Sequence, residues 1–156
     1  MVETFRCQLE WKGASGEALR DPNFSRELQA SFPGLPPMPL SAAPTYKGDA
    51  SRLNPEQLFV ASLSSCQALT YLFLAARADV GLLAYTDEAE GKLGIVDGKM
   101  RMAAVTLRPK ITLAPGSDEQ KAYALVQKAH DGCFIANSVA TKVTLEPTIV
   151  VAAAAG

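Results

Sequence analysis

Between Pro55 and Ala78 the chain contains no glycine and no further proline. That stretch constrains the fold more than any other. Asn54-Pro55-Glu56-Gln57 reads as a helix start, with Asn54 as N-cap, Pro55 at the first helical position and Glu56 at the positive end of the helix dipole. Leu58, Phe59, Ala61, Ser62, Cys66, Leu69, Phe73 and Ala76 form a broad stripe, and Val60, Leu63, Leu72 and Leu74 make other sides apolar too. A helix apolar nearly all round belongs in the middle of a structure, so the rest of the chain is expected to wrap it. Asp79-Val80-Gly81 ends it.

The flanking segments supply the wrapping. Val2 to Trp11 alternates apolar and polar residues and predicts a first strand, then a turn over Lys12 to Gly16. Prolines 22, 33, 36, 37, 39 and 44 exclude a long helix in residues 17–53. Short extended pieces are expected around Arg26 to Phe32, and a long ordered loop over Gly34 to Leu53. Residues 83–96 and 100–113 predict two strands joined at Asp97-Gly98, a tight hairpin signature, with Pro109 marking an edge or a bulge. Ser117 with Gln120 suggests a capping box opening a second helix to about Ala129, with Ala122, Leu125, Val126 and Ala129 inward. Cys133 to Ser138 predicts a turn or short helix, Val139 to Val151 a last strand, and Ala152 to Gly156 a frayed tail.

At 156 residues one domain is expected. Fifteen basic against sixteen acidic residues leave no basic surplus for phosphate neutralisation, so nucleic-acid binding is not expected. No apolar run is read as a membrane span, and the first residues carry no signal-peptide pattern, which makes the cytoplasm the expected compartment. Three widely spaced cysteines, Cys7, Cys66 and Cys133, and a single histidine, His130, do not make a disulfide framework or a zinc site, so no cofactor or metal is expected.

What remains is thiol chemistry or inert thiols. Cys66 lies mid-helix with no cation near it in sequence; it is either a buried thiol among Phe59, Leu69 and Phe73 or a nucleophile activated from elsewhere in the fold. Cys133 comes after a helix terminus, three residues after His130; it is either a small turn residue, with His130 a helix-end cation, or half of a reactive pair. Glu56 is explained by the helix dipole alone, and Arg20, Arg26 and Arg52 by surface solvation.

Together these residues resemble the OsmC/Ohr family, the osmotically inducible and organic-hydroperoxide-resistance proteins. The resemblance rests on Leu53-Asn54-Pro55-Glu56-Gln57-Leu58-Phe59 leading to Cys66, and on Cys133 with Phe134-Ile135-Ala136-Asn137-Ser138 and the strand Ala140 to Leu145 after it. The family pattern often places proline after the second cysteine, where this chain has Phe134, and its glycine-rich approach to the motif is here Lys47-Gly48-Asp49-Ala50-Ser51-Arg52.

The resemblance implies an α+β fold, antiparallel sheets wrapped around long central helices in an intertwined homodimer. It implies a thiol peroxidase acting on organic hydroperoxides and recycled by a dithiol, either a small molecule or a lipoylated protein. By position, Cys66 is then the peroxidatic cysteine and Cys133 the resolving one, with Glu56 and an N-terminal arginine, Arg26 or alternatively Arg20, as polar partners. Cys7 matches no family function and is read as structural. Phe59, Phe73 and Phe134 would favour bulky organic peroxides, or simply fill core.

Glu56 and Cys66 are separated by ~15 Å of rise on a straight helix and lie off one face, so they cannot share one arginine within an unbroken helix. Either the helix breaks, or the site joins Glu56 of one subunit to Cys66 of the other; the second is expected. Two non-enzymatic readings compete: a binder of an apolar small molecule at the dimer interface, and a redox sensor whose disulfide forms with slow turnover.

Overall fold

A computed structural model describes residues 2–13 and 19–154, which form two compact units, Met1–Leu58 and Phe59–Gly156. The part of the expected turn at residues 14–16 and the last two tail residues lie outside the described residues.

In the first unit, β1 (Gln8–Glu10), β2 (Leu28–Ser31) and β3 (Met38–Leu40) pair antiparallel in that order. Two expectations change. The strand predicted from Val2 is only β1, and Phe5 and Leu9 are exposed, because the period-2 pattern meets no covering layer in this chain. The expected loop over Gly34 to Leu53 contains β3 and a 3-10 turn, Pro44–Tyr46, closed by Lys47 in the left-handed region. Buried Ser41 organises the segment between β3 and the long helix. Its Oγ accepts the Asp49 N–H at 3.0 Å and its N–H donates to the Leu53 carbonyl at 2.9 Å. Near the end of that segment, half-buried Arg52 bridges Asp49 (3.3 Å) and Glu27 (3.1 Å).

The long helix α1 spans Pro55–Ala78 without a break. The Asn54 carboxamide oxygen accepts the Gln57 N–H at 2.9 Å and the Gln57 side chain accepts the Asn54 N–H at 3.0 Å, a reciprocal cap. At the far end Asp79 turns left-handed (φ 52°), the Val80 N–H reaches the Ala75 carbonyl and the Asp79 N–H the Ala76 carbonyl, a Schellman closure. Full burial of the helix is not found. Leu63, Gln67, Tyr71 and Ala75, one stripe at four-residue spacing, are buried, whereas Leu69 is 68% and Phe73 60% exposed. The absence of an apolar run long enough for a membrane is also corrected: by length and composition α1 passes, with a mean hydropathy of 1.6 over eighteen residues. Averaging hides its serines and glutamine, and its buried stripe is the wall of a protein core.

That core lies in the second unit. β4 (Leu82–Asp87), β7 (Pro109–Leu113) and β9 (Thr148–Val151) form one sheet, and β5 (Glu90–Val96), β6 (Lys99–Leu107) and β8 (Lys142–Leu145) another. β5–β6 and β4–β7 are antiparallel, whereas β8 and β9 join β6 and β7 in parallel. The sheets are therefore mixed, as a return through the second helix, α2 (Glu119–Asp131), requires. The two predicted strands from 83 to 113 are four, split near Glu88 and at Arg108, and the predicted last strand is two, split before Thr148. Pro109 stands at neither an edge nor a bulge. It is the first residue of the central strand β7, where no ladder donor is lost.

The Asp97-Gly98 hairpin forms as expected, both residues at positive φ. The cap of α2 is Asp118, one residue later than predicted, accepting the Lys121 N–H at 2.9 Å. Ala122, Leu125, Val126 and Ala129 face inward against Tyr71, Ala75, Val80, Ile111 and Leu113, while Leu63 packs with Val105 and Leu107.

Candidate functional site

Cys66 and Cys133 meet. Cys66 is half-buried on α1, one residue before Gln67, whose buried amide donates to the Val126 carbonyl at 3.0 Å, while Tyr71 donates to the Ala122 carbonyl at 3.3 Å. These two bonds fasten α1 along α2 and so place Cys66 beside the turn after α2. There Gly132 ends the helix and Cys133 is 1% exposed. Both thiols are free. The two thiols act on each other's acidity, and the Thr70 hydroxyl donates to the Cys66 carbonyl at 2.9 Å.

The environment separates the two thiols. Burial pushes Cys66 up, but the Cys133 thiol, the Ile135 and Phe134 N–H groups and Thr70 together outweigh it and leave Cys66 below the usual thiol range. Burial pushes Cys133 up, the hydrogen bond and charge of Cys66 push it further, and the Ala136 and Ile135 N–H groups oppose only partly. Cys66 is thus the readier of the two to lose its proton and Cys133 the more reluctant, the division of labour that thiol–disulfide chemistry needs.

Glu56 and Arg26 belong to the first unit, and Cys66 and Cys133 to the second. Because α1 is continuous, a break between Glu56 and Cys66 is removed from consideration. Arg26 is held by its own loop: its guanidinium donates to the Phe24 carbonyl at 2.7 Å and the Pro22 carbonyl at 3.1 Å and lies 4.4 Å from the centre of the Phe24 ring. Trp11 packs edge-on against the same ring and donates to the Ser25 carbonyl at 2.7 Å. Among the described residues no carboxylate pairs with Arg26. One carboxylate oxygen of Glu56 is buried and without a partner. Arg20 is exposed.

Other expectations divide. Cys7, read as a structural residue of the first strand, is exposed and lies just before β1. Phe59 packs on the Leu63 cluster, but Phe73 and Phe134 are exposed and fill no core in this chain. His130 lies in the last turn of α2 as expected. Residues not singled out from sequence also matter. Thr70, one helical turn beyond Cys66, was readable from its spacing. Ser64 was not: its hydroxyl donates to the Asp87 carboxylate at 2.5 Å, and the same carboxylate accepts the Arg108 N–H at 2.7 Å, a contact between distant segments.

Comparison with known proteins places the fold. The family model described as OsmC-like protein matches residues 48–148. An OsmC-like protein of unknown function from Vibrio cholerae O1 biovar eltor superposes with a TM-score of 0.88 at 34% identity, over 94% of this chain and 100% of that one. The organic hydroperoxide resistance protein OsmC of Legionella pneumophila gives 0.64 at 22% identity over 97% and 99%. The organic hydroperoxide resistance protein OhrB of Bacillus subtilis gives 0.61 at 20% over 93% and 98%. No curated protein matches. The two-cysteine site therefore stands in a fold shared with organic hydroperoxide resistance proteins, and the chain itself belongs to the OsmC/Ohr family of OsmC-like proteins.

Proposed function

We propose that this protein is a thiol peroxidase that reduces organic hydroperoxides. The observation that carries the reading is the Cys66–Cys133 pair, two free thiols that act on each other and whose acidities are pushed in opposite directions. The Cys66 thiolate attacks the distal oxygen of the hydroperoxide. The O–O bond breaks, the departing alkoxide takes a proton and leaves as the alcohol, and Cys66 becomes a sulfenic acid. The Cys133 sulfur then attacks the Cys66 sulfur; the S–O bond breaks, water leaves and a disulfide remains. A dithiol, small or carried as a lipoyl group on a protein, takes the two oxidising equivalents and restores both thiols.

Arg26 and Glu56 complete this reading across a homodimer. Glu56 of one subunit orients an arginine beside Cys66 of the other, where a guanidinium steadies charge on the departing oxygen. The exposed Leu69 and Phe73 on α1 support such a pairing, since so much uncovered apolar surface on a central helix asks for a partner. The unpaired buried carboxylate oxygen of Glu56 and the carbonyl-held, carboxylate-free guanidinium of Arg26 are suited to meeting each other. The cytoplasm, where dithiols stay reduced, is the fitting compartment.

Steady turnover of cumene hydroperoxide with dihydrolipoamide tests the proposal. Sustained alcohol production that disappears in Cys66→Ser supports it. A disulfide that forms once without turnover points to a sensor, and no thiol reaction at all points to a binding protein. A monomer that turns over at full rate overturns the composite site.

A further inference from the structure

Glutamine is an uncommon residue on a helix stripe that faces a core, because its amide gives up water there. The buried stripe of α1 is Leu63, Gln67, Tyr71 and Ala75, and Gln67 is 1% exposed. Its amide nitrogen donates to the Val126 carbonyl at 3.0 Å, and its amide oxygen is buried with no partner among the described residues. Half of the amide is satisfied and half is not, so the side chain adds little to stability or subtracts from it. The Val126 carbonyl lies inside α2, where the helix's own N–H ladder already uses it. An apolar residue of the same length would fill the place without an orphaned oxygen. The glutamine therefore serves something other than the strength of the core.

The bond lies where it sets alignment. Tyr71, one turn further along α1, donates to the Ala122 carbonyl, one turn earlier on α2, at 3.3 Å. The two donors and the two acceptors run in opposite order, so they are two rungs between antiparallel helices. Apolar contact is non-directional and tolerates slip, whereas hydrogen bonds to two fixed carbonyls do not. A slip of one residue would carry Cys66 about 1.5 Å along α1 and about 100° around it. Gln67 is the rung beside Cys66, and Val126 lies on the helix that leads to Cys133. Past the end of α2 the chain stays against α1: a side chain begun at Gly132 would meet the Thr70 methyl at 3.6 Å, one turn from Cys66.

We propose that Gln67 is a positioning residue, a buried pin that fixes the register of α1 on α2 and so keeps Cys66 within bonding range of Cys133. Fixing register is the best-attested service of a buried polar group that costs stability. The inference rests on Cys66 and Cys133 as a redox pair and adds what keeps them in range. In the reduced protein the pin holds the two thiols in one alignment. Once the disulfide has formed, the covalent bond fixes that alignment by itself. Loss of the pin therefore weakens disulfide formation and leaves the fold intact.

The test is the equilibrium of the full-length protein with reduced and oxidised dithiothreitol, read by mass spectrometry at the Cys66 and Cys133 peptides. Each thiol gives up a hydrogen and an S–S bond forms between them, while the cyclic disulfide of oxidised dithiothreitol opens to the dithiol. Gln67→Met keeps the length and removes the amide. It is expected to lower the equilibrium constant roughly fivefold, within the span of one buried hydrogen bond, with the urea midpoint of the reduced protein unchanged or higher. An unchanged equilibrium constant, with or without a lower urea midpoint, makes Gln67 merely structural and overturns the proposal. If Gln67→Met does not fold, Tyr71→Phe decides: it keeps the ring and drops the second rung, so it must lower the constant too, and no change overturns the proposal. No peroxide enters the readout. Wild-type protein that forms no Cys66–Cys133 disulfide refutes the redox pair and the pin with it. Wild-type protein that forms the disulfide but turns over no hydroperoxide refutes the enzyme reading alone.

Discussion

Replacing Asp87 by alanine removes two hydrogen bonds at once. Its carboxylate takes the Ser64 hydroxyl at 2.5 Å and the Arg108 N–H at 2.7 Å, tying the turn of α1 just before Cys66 to the β4 end and to the start of β7. Hydrogen bonds to a charged group contribute about 1.5–3 kcal/mol each. Asp87 is only half-buried, so the lower end applies, and Asp87→Ala is expected to cost about 3 kcal/mol. Ser64→Ala removes one of the two bonds and should cost about half as much. Because the serine bond is already lost without its carboxylate, the double variant should be no less stable than Asp87→Ala, a coupling of about 1.5 kcal/mol. Urea denaturation of reduced protein at one fixed concentration measures all four, with an unchanged slope required for the comparison. A cost below about 0.5 kcal/mol for Asp87→Ala, or strict additivity in the double variant, refutes the reasoning.

The thiol pair and the loop before α1 each carry a further prediction. Cys66 has a folded-state pKa below its usual value of 9.0, so its contribution to stability is full above 9.0 and is lost as pH falls through the folded value. Reduced protein should therefore gain stability with rising pH in that window, Cys66→Ser should gain less, and identical slopes in urea titrations would contradict the thiolate assignment. A side-chain carbon at Gly48 would collide with the Ala42 carbonyl oxygen, which is backbone and cannot step aside. Gly48→Ala should lower stability by more than about 2 kcal/mol in the same assay, and a variant within about 0.5 kcal/mol of the parent would mean that the loop repacks freely.

The legible parts of the fold are those set by neighbours in sequence. Asn54-Pro55 and Asp79-Val80-Gly81 mark the ends of α1 because capping is local, and Asp97-Gly98 marks its hairpin because both residues tolerate positive φ. The inward face of α2 comes from its four apolar positions. Strand breaks were less visible: near Glu88, Arg108 and Pro147 apolar residues continue across corners that only sheet pairing reveals. Burial of α1 was overestimated because periodicity shows which faces are apolar, not which are covered within one chain. Ser117 lost the cap to Asp118, since both neighbours suit the role and the turn before α2 chooses.

The site divides in the same way. The meeting of Cys66 with Cys133 joins residues far apart in sequence; no spacing rule predicts it, and the family resemblance supplied it. Two of the four groups that lower Cys66 are main-chain N–H groups, which every residue but proline carries, so no side-chain pattern announces them. Ser64 with Asp87 is equally silent, a helix serine and a strand-end aspartate that only the fold brings together.

The most direct test of the central claim is a one-equivalent titration of reduced protein with cumene hydroperoxide, then intact mass and peptide mapping under non-reducing conditions. The account predicts a rapid loss of two hydrogens mapped to a Cys66–Cys133 disulfide, absent in Cys66→Ser, while exposed Cys7 stays reduced. Thiols left unchanged, or slow oxidation that falls on Cys7 as readily as on Cys66, would contradict it.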